Sequence, residues 1–117
     1  MIRHCSLFKF KSDTPTELID VIVTRFRGLA EEVPMIRRAA IGRNIGFHDD
    51  NYDIASNLEF DSLEGYREYC VDETHLAFVD KWLLPHLDSR AAVQFSLDET
   101  ADATVSLDVS CAQQNGR

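Results

Sequence analysis

The chain has 117 residues with 44% apolar and 27% charged side chains, enough for one domain with a real core and too little for two. Its formal net charge of −8 disfavours nucleic acid or an anionic membrane surface as the main partner, because both need clustered Lys and Arg. No apolar run is long enough to cross a bilayer, the opening Met1-Ile-Arg-His-Cys5 lacks a signal-peptide apolar region, and three cysteines without C-x-x-C spacing fit neither a disulfide framework nor a zinc site.

Residues 2–11 alternate, with Ile2, His4, Ser6, Phe8 and Phe10 on one face of a strand and Arg3, Cys5, Leu7, Lys9 and Lys11 on the other. Thr14-Pro15-Thr16-Glu17 predicts a helix start with Thr14 at the N-cap, Pro15 at N1 and Glu17 at N3. Leu18, Ile22, Phe26, Leu29 and Val33 then recur at helical steps, and Pro34 ends the helix. Residues 36–45 suit a second strand, where Gly42 and Gly46 allow a bend. The polar run from His48 to Tyr52 leads into a third strand at 52–60, with Tyr52, Ile54, Ser56, Leu58 and Phe60 on one face. Asp61-Ser-Leu-Glu64 reads as a second cap, opening a helix to about Cys70. Asp72 starts a further helix carrying Leu76, Val79, Trp82 and Leu83, which Pro85 ends or kinks.

A final strand spans 91–97, alternating around Val93, Phe95 and Leu97. The order β-α-β-β-α-β is an α+β, ferredoxin-like arrangement, a sheet with helices on one face. Residues 98–117 read as a polar tail that adds little to the core, with 104–109 as a candidate short strand. Cys5 and Cys70 are expected to be reduced and packed and Cys111 exposed, with the cytoplasm as the expected compartment. The uncovered sheet face is expected to carry Cys5, Leu7, Ala39, Ile41 and Ala55. Such a face needs a cover, and a second copy of the chain is the simplest one.

The groups able to move protons gather around Tyr69-Cys-Val-Asp-Glu-Thr-His75 and His4. His75 in the first turn of a helix meets the positive end of the dipole, which favours the neutral imidazole and makes it a candidate base. Tyr69 is a candidate hydrogen-bond donor to a developing enolate oxygen. Six residues apart, the two diverge on one continuous helix and converge only if it breaks near Val71-Asp72. His4 shares its strand face with Phe8 and Phe10, so it points into the same apolar space. Phe8, Ile54 and Trp82 are expected to line that pocket. His48-Asp49-Asp50 reads as a solvated turn, not a metal site, and His86 as a helix-end residue. Arg37, Arg38 and Arg43 read as strand-flanking and dimer-edge charges, with Arg43 as the alternative partner for a carboxylate or thioester tail at the pocket mouth.

The opening Met1–Lys11, Pro34-Met-Ile-Arg37, Gly42-Arg-Asn44, Glu59-Phe-Asp-Ser62, and Tyr69 followed by Thr74-His-Leu-Ala-Phe78 together resemble the stress-responsive dimeric α/β-barrel (Dabb) family. The resemblance covers residues 1–97. It implies two ferredoxin-like protomers whose sheets close into a barrel, each keeping a pocket between its own sheet and helices. One plant member is a polyketide cyclase that performs an intramolecular aldol condensation without metal or organic cofactor. Its Tyr–His pair corresponds to Tyr69 and His75, and its first-strand histidine to His4. Its third-strand histidine corresponds to Ile54, and the usual His-Pro-Ala-His is here Asp72-Glu-Thr-His75. The resemblance therefore implies a cofactor-free cyclase or lyase acting on an apolar or aromatic small molecule. A non-catalytic ligand-binding homodimer and a cofactor-free monooxygenase are the alternatives.

Overall fold

The alternation of the first segment becomes β1 (Ile2–Phe10) in the computed structural model, which describes residues 1–97. The expected tail, its candidate strand at 104–109 and Cys111 lie outside the described residues. Helix α1 (Thr16–Glu32) follows, then β2 (Arg38–Arg43), β3 (Ile54–Phe60), α2 (Leu63–Val71) and α3 (Glu73–Phe78). A π turn (Val79–Leu83) and a 3-10 turn (Leu84–His86) extend α3 into β4 (Leu87–Ser96). The four strands form one antiparallel sheet in the order β2-β3-β1-β4. This is the expected ferredoxin-like fold, with the second helical segment split in two.

Helix α1 and the covered sheet face make the core. Ile19, Ile22, Val23, Phe26 and Leu29 of α1 pack with Phe8 and Phe10 of β1, Ile41 of β2, and Ile54, Leu58 and Phe60 of β3. The β3 pattern alternates as a half-buried strand must, with Ile54, Ser56, Leu58 and Phe60 all buried. No helix among the described residues is long and apolar enough to cross a membrane.

Four local expectations are corrected. Thr14 caps nothing: its hydroxyl is buried without a partner, and extended Pro15 stands at the N-cap, its carbonyl accepting from Leu18 and Ile19 at 3.0 and 3.3 Å. The extended ψ of Pro15 (144°) keeps it out of the helix and moves the start one residue along. The second cap is Ser62, not Asp61; the Ser62 hydroxyl accepts from the Gly65 N–H at 3.2 Å. Cys70 is exposed, because α2 turns Tyr69 inward and the next residue points about 100° away. Strand β4 begins at Leu87, four residues before the expected start at Ala91, since the 3-10 turn delivers the chain straight onto β1.

The uncovered face also differs from expectation. Ala39 pairs with Leu58 and Ile41 with Ser56, so both lie on the helix-covered face; directly opposed residues share a side. Small apolar residues at 39–41 leave the phase of the strand open, and only pairing with β3 settles it. The open face holds Leu7 from β1, Ala55 from β3, and Ala91, Val93 and Phe95 from β4. Leu7, Val93 and Phe95 are all substantially exposed. Arg3 and Glu59 close a 2.6 Å ion pair at one end of it, and the Cys5 thiol donates to Asn57 Oδ1 at 2.7 Å.

Ile22 is wholly buried at the centre of α1. Ile22→Ala is expected to cost about 2–5 kcal/mol in urea unfolding, against less than about 0.5 kcal/mol for the exposed Val71→Ala. Equal costs would contradict this core.

Candidate functional site

The site begins with a break in a helix. Asp72 has extended backbone (φ −65°, ψ 133°), so α2 stops at Val71 and α3 starts afresh at Glu73. The Asp72 carboxylate accepts from the His75 N–H at 3.0 Å, an N-cap that fixes the first turn of α3. The turn carries His75 back over α2, where its Nδ1 lies 2.9 Å from the Tyr69 carbonyl oxygen. A carbonyl can only accept, so Nδ1 carries the proton and donates, and Nε2 keeps its lone pair in the neutral ring. The His75 and Tyr69 rings stack with centroids 3.9 Å apart and planes 25° from parallel.

Both rings face a cavity of about 250 Å³ between the β1–β4 side of the sheet and α3 with the turns that follow it. His4, Ser6 and Phe8 enter from β1, Phe26 from α1, and Phe78, Leu83 and Leu87 close much of the apolar wall. His4 is held at both nitrogens. The Gln94 amide donates to Nδ1 at 2.9 Å, which places the proton on Nε2, facing Ser6 Oγ at 3.2 Å. Its ring lies 6.3 Å from that of Tyr69 and 5.1 Å from that of Tyr66, centroid to centroid. Phe60 packs beneath both tyrosines at 5.1 and 5.6 Å.

The surroundings set the protonation states. Burial pushes the His4 imidazole down to about 4, helped by the charges of Arg90 and His75. Burial also lowers His75 from the ordinary imidazole value; its bond to the Tyr69 carbonyl and the Asp72 carboxylate oppose that shift, while Arg90 adds to it. Burial raises the Tyr69 phenol above its usual range, and the Tyr66 phenol is pushed up to about 12 by burial and by Cys70 beside it. At neutral pH the cavity therefore presents two neutral imidazoles and the protonated phenol of Tyr69, with the protonated Tyr66 packed beside His4.

Of the residues expected at the pocket, His75, Tyr69, His4 and Phe8 line it together. Ile54 and Trp82 do not. Ile54 is on β3, across β1 from the cavity, and is buried in the core under α1. Trp82 is displaced by the π turn, whose Leu84 N–H reaches back to the Val79 carbonyl. The wider turn keeps Val79 and Leu83 inward and swings Trp82 to the outer groove beside α1. There Arg25 and Lys81 lie over its ring at 5.3 and 5.4 Å. Reading the sequence missed Arg90, which lines the cavity, and Gln94, which orients His4. Both occupy the polar half of the β4 alternation, opposite Phe8 and His4 of β1, and that pairing alone reveals them. His48, Asp49 and Asp50 lie exposed in the loop before β3.

Residues 2–97 match the profile of the Stress Responsive A/B Barrel Domain, Dabb. The comparison with curated proteins finds no match. Among solved structures, a dimeric ferredoxin-like protein of unknown function from Thermobifida fusca is 30% identical, with a TM-score of 0.74 over 82% of this chain and 90% of that one. A dimeric protein of the same fold from Bacteroides fragilis is 29% identical, with a TM-score of 0.70 over 82% and 95%. A hydroxynitrile lyase from Passiflora edulis, 19% identical with a TM-score of 0.73 over 84% and 94%, shares the fold.

The depressed His4 value sets a pH dependence. Unfolded His4 binds its proton near the reference value of about 6.5 and folded His4 only near about 4, so acid favours the unfolded chain. The stability difference between wild type and His4→Gln is expected to be constant above about pH 6.5 and to move against wild type as pH falls toward about 4. Urea midpoints across that range measure it, and a parallel pH profile for the two proteins would contradict a buried neutral His4.

Proposed function

The chain belongs to the stress-responsive A/B barrel (Dabb) family, and we propose that it is a cofactor-independent enzyme of cyclase or lyase type, acting on a carbon beside a carbonyl. The observation that carries this reading is the His75 ring, whose Nδ1 proton is committed to the Tyr69 carbonyl while the ring lines an apolar cavity stacked on the Tyr69 phenol. Nε2 is then the base. It removes the proton from the activated carbon, and the Tyr69 hydroxyl donates to the oxygen on which the enolate charge develops. For an aldol-type closure, the enolate carbon forms its bond to a second carbonyl carbon of the same molecule. The resulting alkoxide takes back the proton from His75. No electrons leave the substrate, and the reverse sequence is the lyase reaction.

The apolar wall excludes water from the enolate and strengthens the donor's effect. Neutral His4, fixed by Gln94 and Ser6, orients the substrate and leaves the base role to His75. The plant olivetolic acid cyclase, whose Tyr–His pair Tyr69 and His75 resemble, supports the cyclase form. The hydroxynitrile lyase from Passiflora edulis supports a lyase on this fold. An apolar or aromatic small molecule fits the phenylalanine and leucine lining.

The same proposal includes a homodimer built through the open sheet face. Leu7, Val93 and Phe95 expose an apolar strip there, and the Thermobifida and Bacteroides neighbours are dimeric.

Two experiments test these readings. In a screen of linear polyketide and β-hydroxycarbonyl substrates, His75→Ala is expected to lose about 10²–10⁴-fold in kcat, while Tyr69→Phe lowers kcat and leaves KM nearly unchanged. Full activity in His75→Ala would remove the base assignment. In sedimentation, wild type is expected to be a dimer at micromolar concentration and Phe95→Lys a folded monomer; a wild-type monomer would contradict the sheet interface.

A further inference from the structure

Every other polar group at the cavity is neutral, yet one permanent cation reaches it. Arg90 stands on β4 opposite Phe8, on the side of the strand that faces the helices, and lines the same cavity as His4, Tyr69 and His75. Its charge is felt by all three of those groups and by Tyr66, which locates the guanidinium within electrostatic reach of the whole aromatic cluster. The arginine ion pairs among the described residues are made by Arg3, Arg37, Arg38 and Arg43. Among the described residues Arg90 has no carboxylate partner. Arg90 is itself exposed while it lines the cavity, so it stands where the cavity meets solvent.

An unpaired guanidinium at the mouth of an apolar cavity is suited to one kind of occupant: a molecule with an apolar body and an anionic head. We propose that Arg90 is the specificity-determining residue of the site and that the substrate carries a carboxylate, held at the cavity mouth while its reacting carbon lies inside beside His75 and Tyr69. This assignment rests on the reaction proposed above for the site. The planar guanidinium offers two parallel N–H donors that match the two carboxylate oxygens, which fixes orientation as well as charge. Anchoring the head group outside leaves the enolate-forming end among neutral donors, where a second negative charge is tolerated because Arg90 neutralises the first.

The test compares phenylacetate with phenylacetamide, a carboxylate and its neutral isostere, by calorimetry on the full chain. In wild type the acid is expected to bind about tenfold tighter than the amide, the worth of a partly solvated charge-assisted pair. Arg90→Gln is expected to abolish that preference without changing amide affinity, and Arg90→Lys to retain part of it. Repeating the titrations in His75→Gln separates the two readings. A preserved acid preference there, with no turnover found in wild type, would remove the proposed reaction and leave Arg90 as an anion anchor. Equal binding of acid and amide in wild type, no binding of either at millimolar concentration, or an acid preference that survives in Arg90→Gln would overturn the proposal. If Arg90→Gln does not fold, the wild-type ratio and the Arg90→Lys titration decide it.

Discussion

One residue of extended backbone, Asp72, holds the site together. Without it α2 and α3 would be one helix, and Tyr69 and His75, six residues apart, would point about 120° from each other around its axis. Asp72 leaves the helical region, and its carboxylate re-starts the chain by accepting from the His75 N–H. That same turn puts the His75 ring against the Tyr69 carbonyl and onto its phenol. Capping, tautomer and stacking are therefore a single local event. A carboxylate in this position also opposes the loss of basicity that burial imposes on His75. The base is kept neutral without being made useless as an acceptor.

The second constraint is the unequal cover of the sheet. Helix α1 fills the face of β2, β3 and β1 with branched and aromatic side chains, while β4 is left largely exposed. The cavity forms where that cover runs out, between β1 and β4, beneath α3 and the π turn. A wider turn at this point does what a regular helix could not, keeping Val79 and Leu83 in the wall while Trp82 leaves it. The polar half of β4 then becomes the rim of the site, with Gln94 fixing His4 and Arg90 standing at the mouth. The opposite face of the same strand exposes Val93 and Phe95, so β4 serves the site on one side and the proposed dimer on the other.

The strands were legible where alternation is strict. In β1 and β3 the large residues Phe8, Phe10, Ile54, Leu58 and Phe60 recur at every second position or at multiples of two. That fixes the phase although His4, Ser6 and Ser56 are polar on the same face, and the buried faces are the expected ones. The break at Asp72 was also legible, because an aspartate three residues before His75 is a recognisable cap. The failures share one cause, which is that tertiary pairing settles what local pattern leaves open. Ala39, Ala40 and Ile41 give no phase to β2 until Leu58 and Ser56 face them. Ile54 follows the right alternation and still misses the cavity, because strand order places β1 in between. Trp82 sits at helical spacing that the π turn does not obey. Arg90 and Gln94 look like the solvent side of an edge strand, and only the helices' failure to reach β4 makes them part of the site.

The proposed chemistry depends most on the state of the His75 ring. Nitrogen-15 NMR of histidine-labelled protein across the pH range distinguishes the two neutral tautomers and the imidazolium directly. The expected result is a His75 signal of the Nδ1–H tautomer at neutral pH, titrating below the ordinary imidazole range, and switching or averaging between tautomers when Asp72 is replaced by Ala. A His75 that carries its proton on Nε2, or that is already imidazolium at neutral pH, would leave no lone pair facing the cavity and would contradict the central claim.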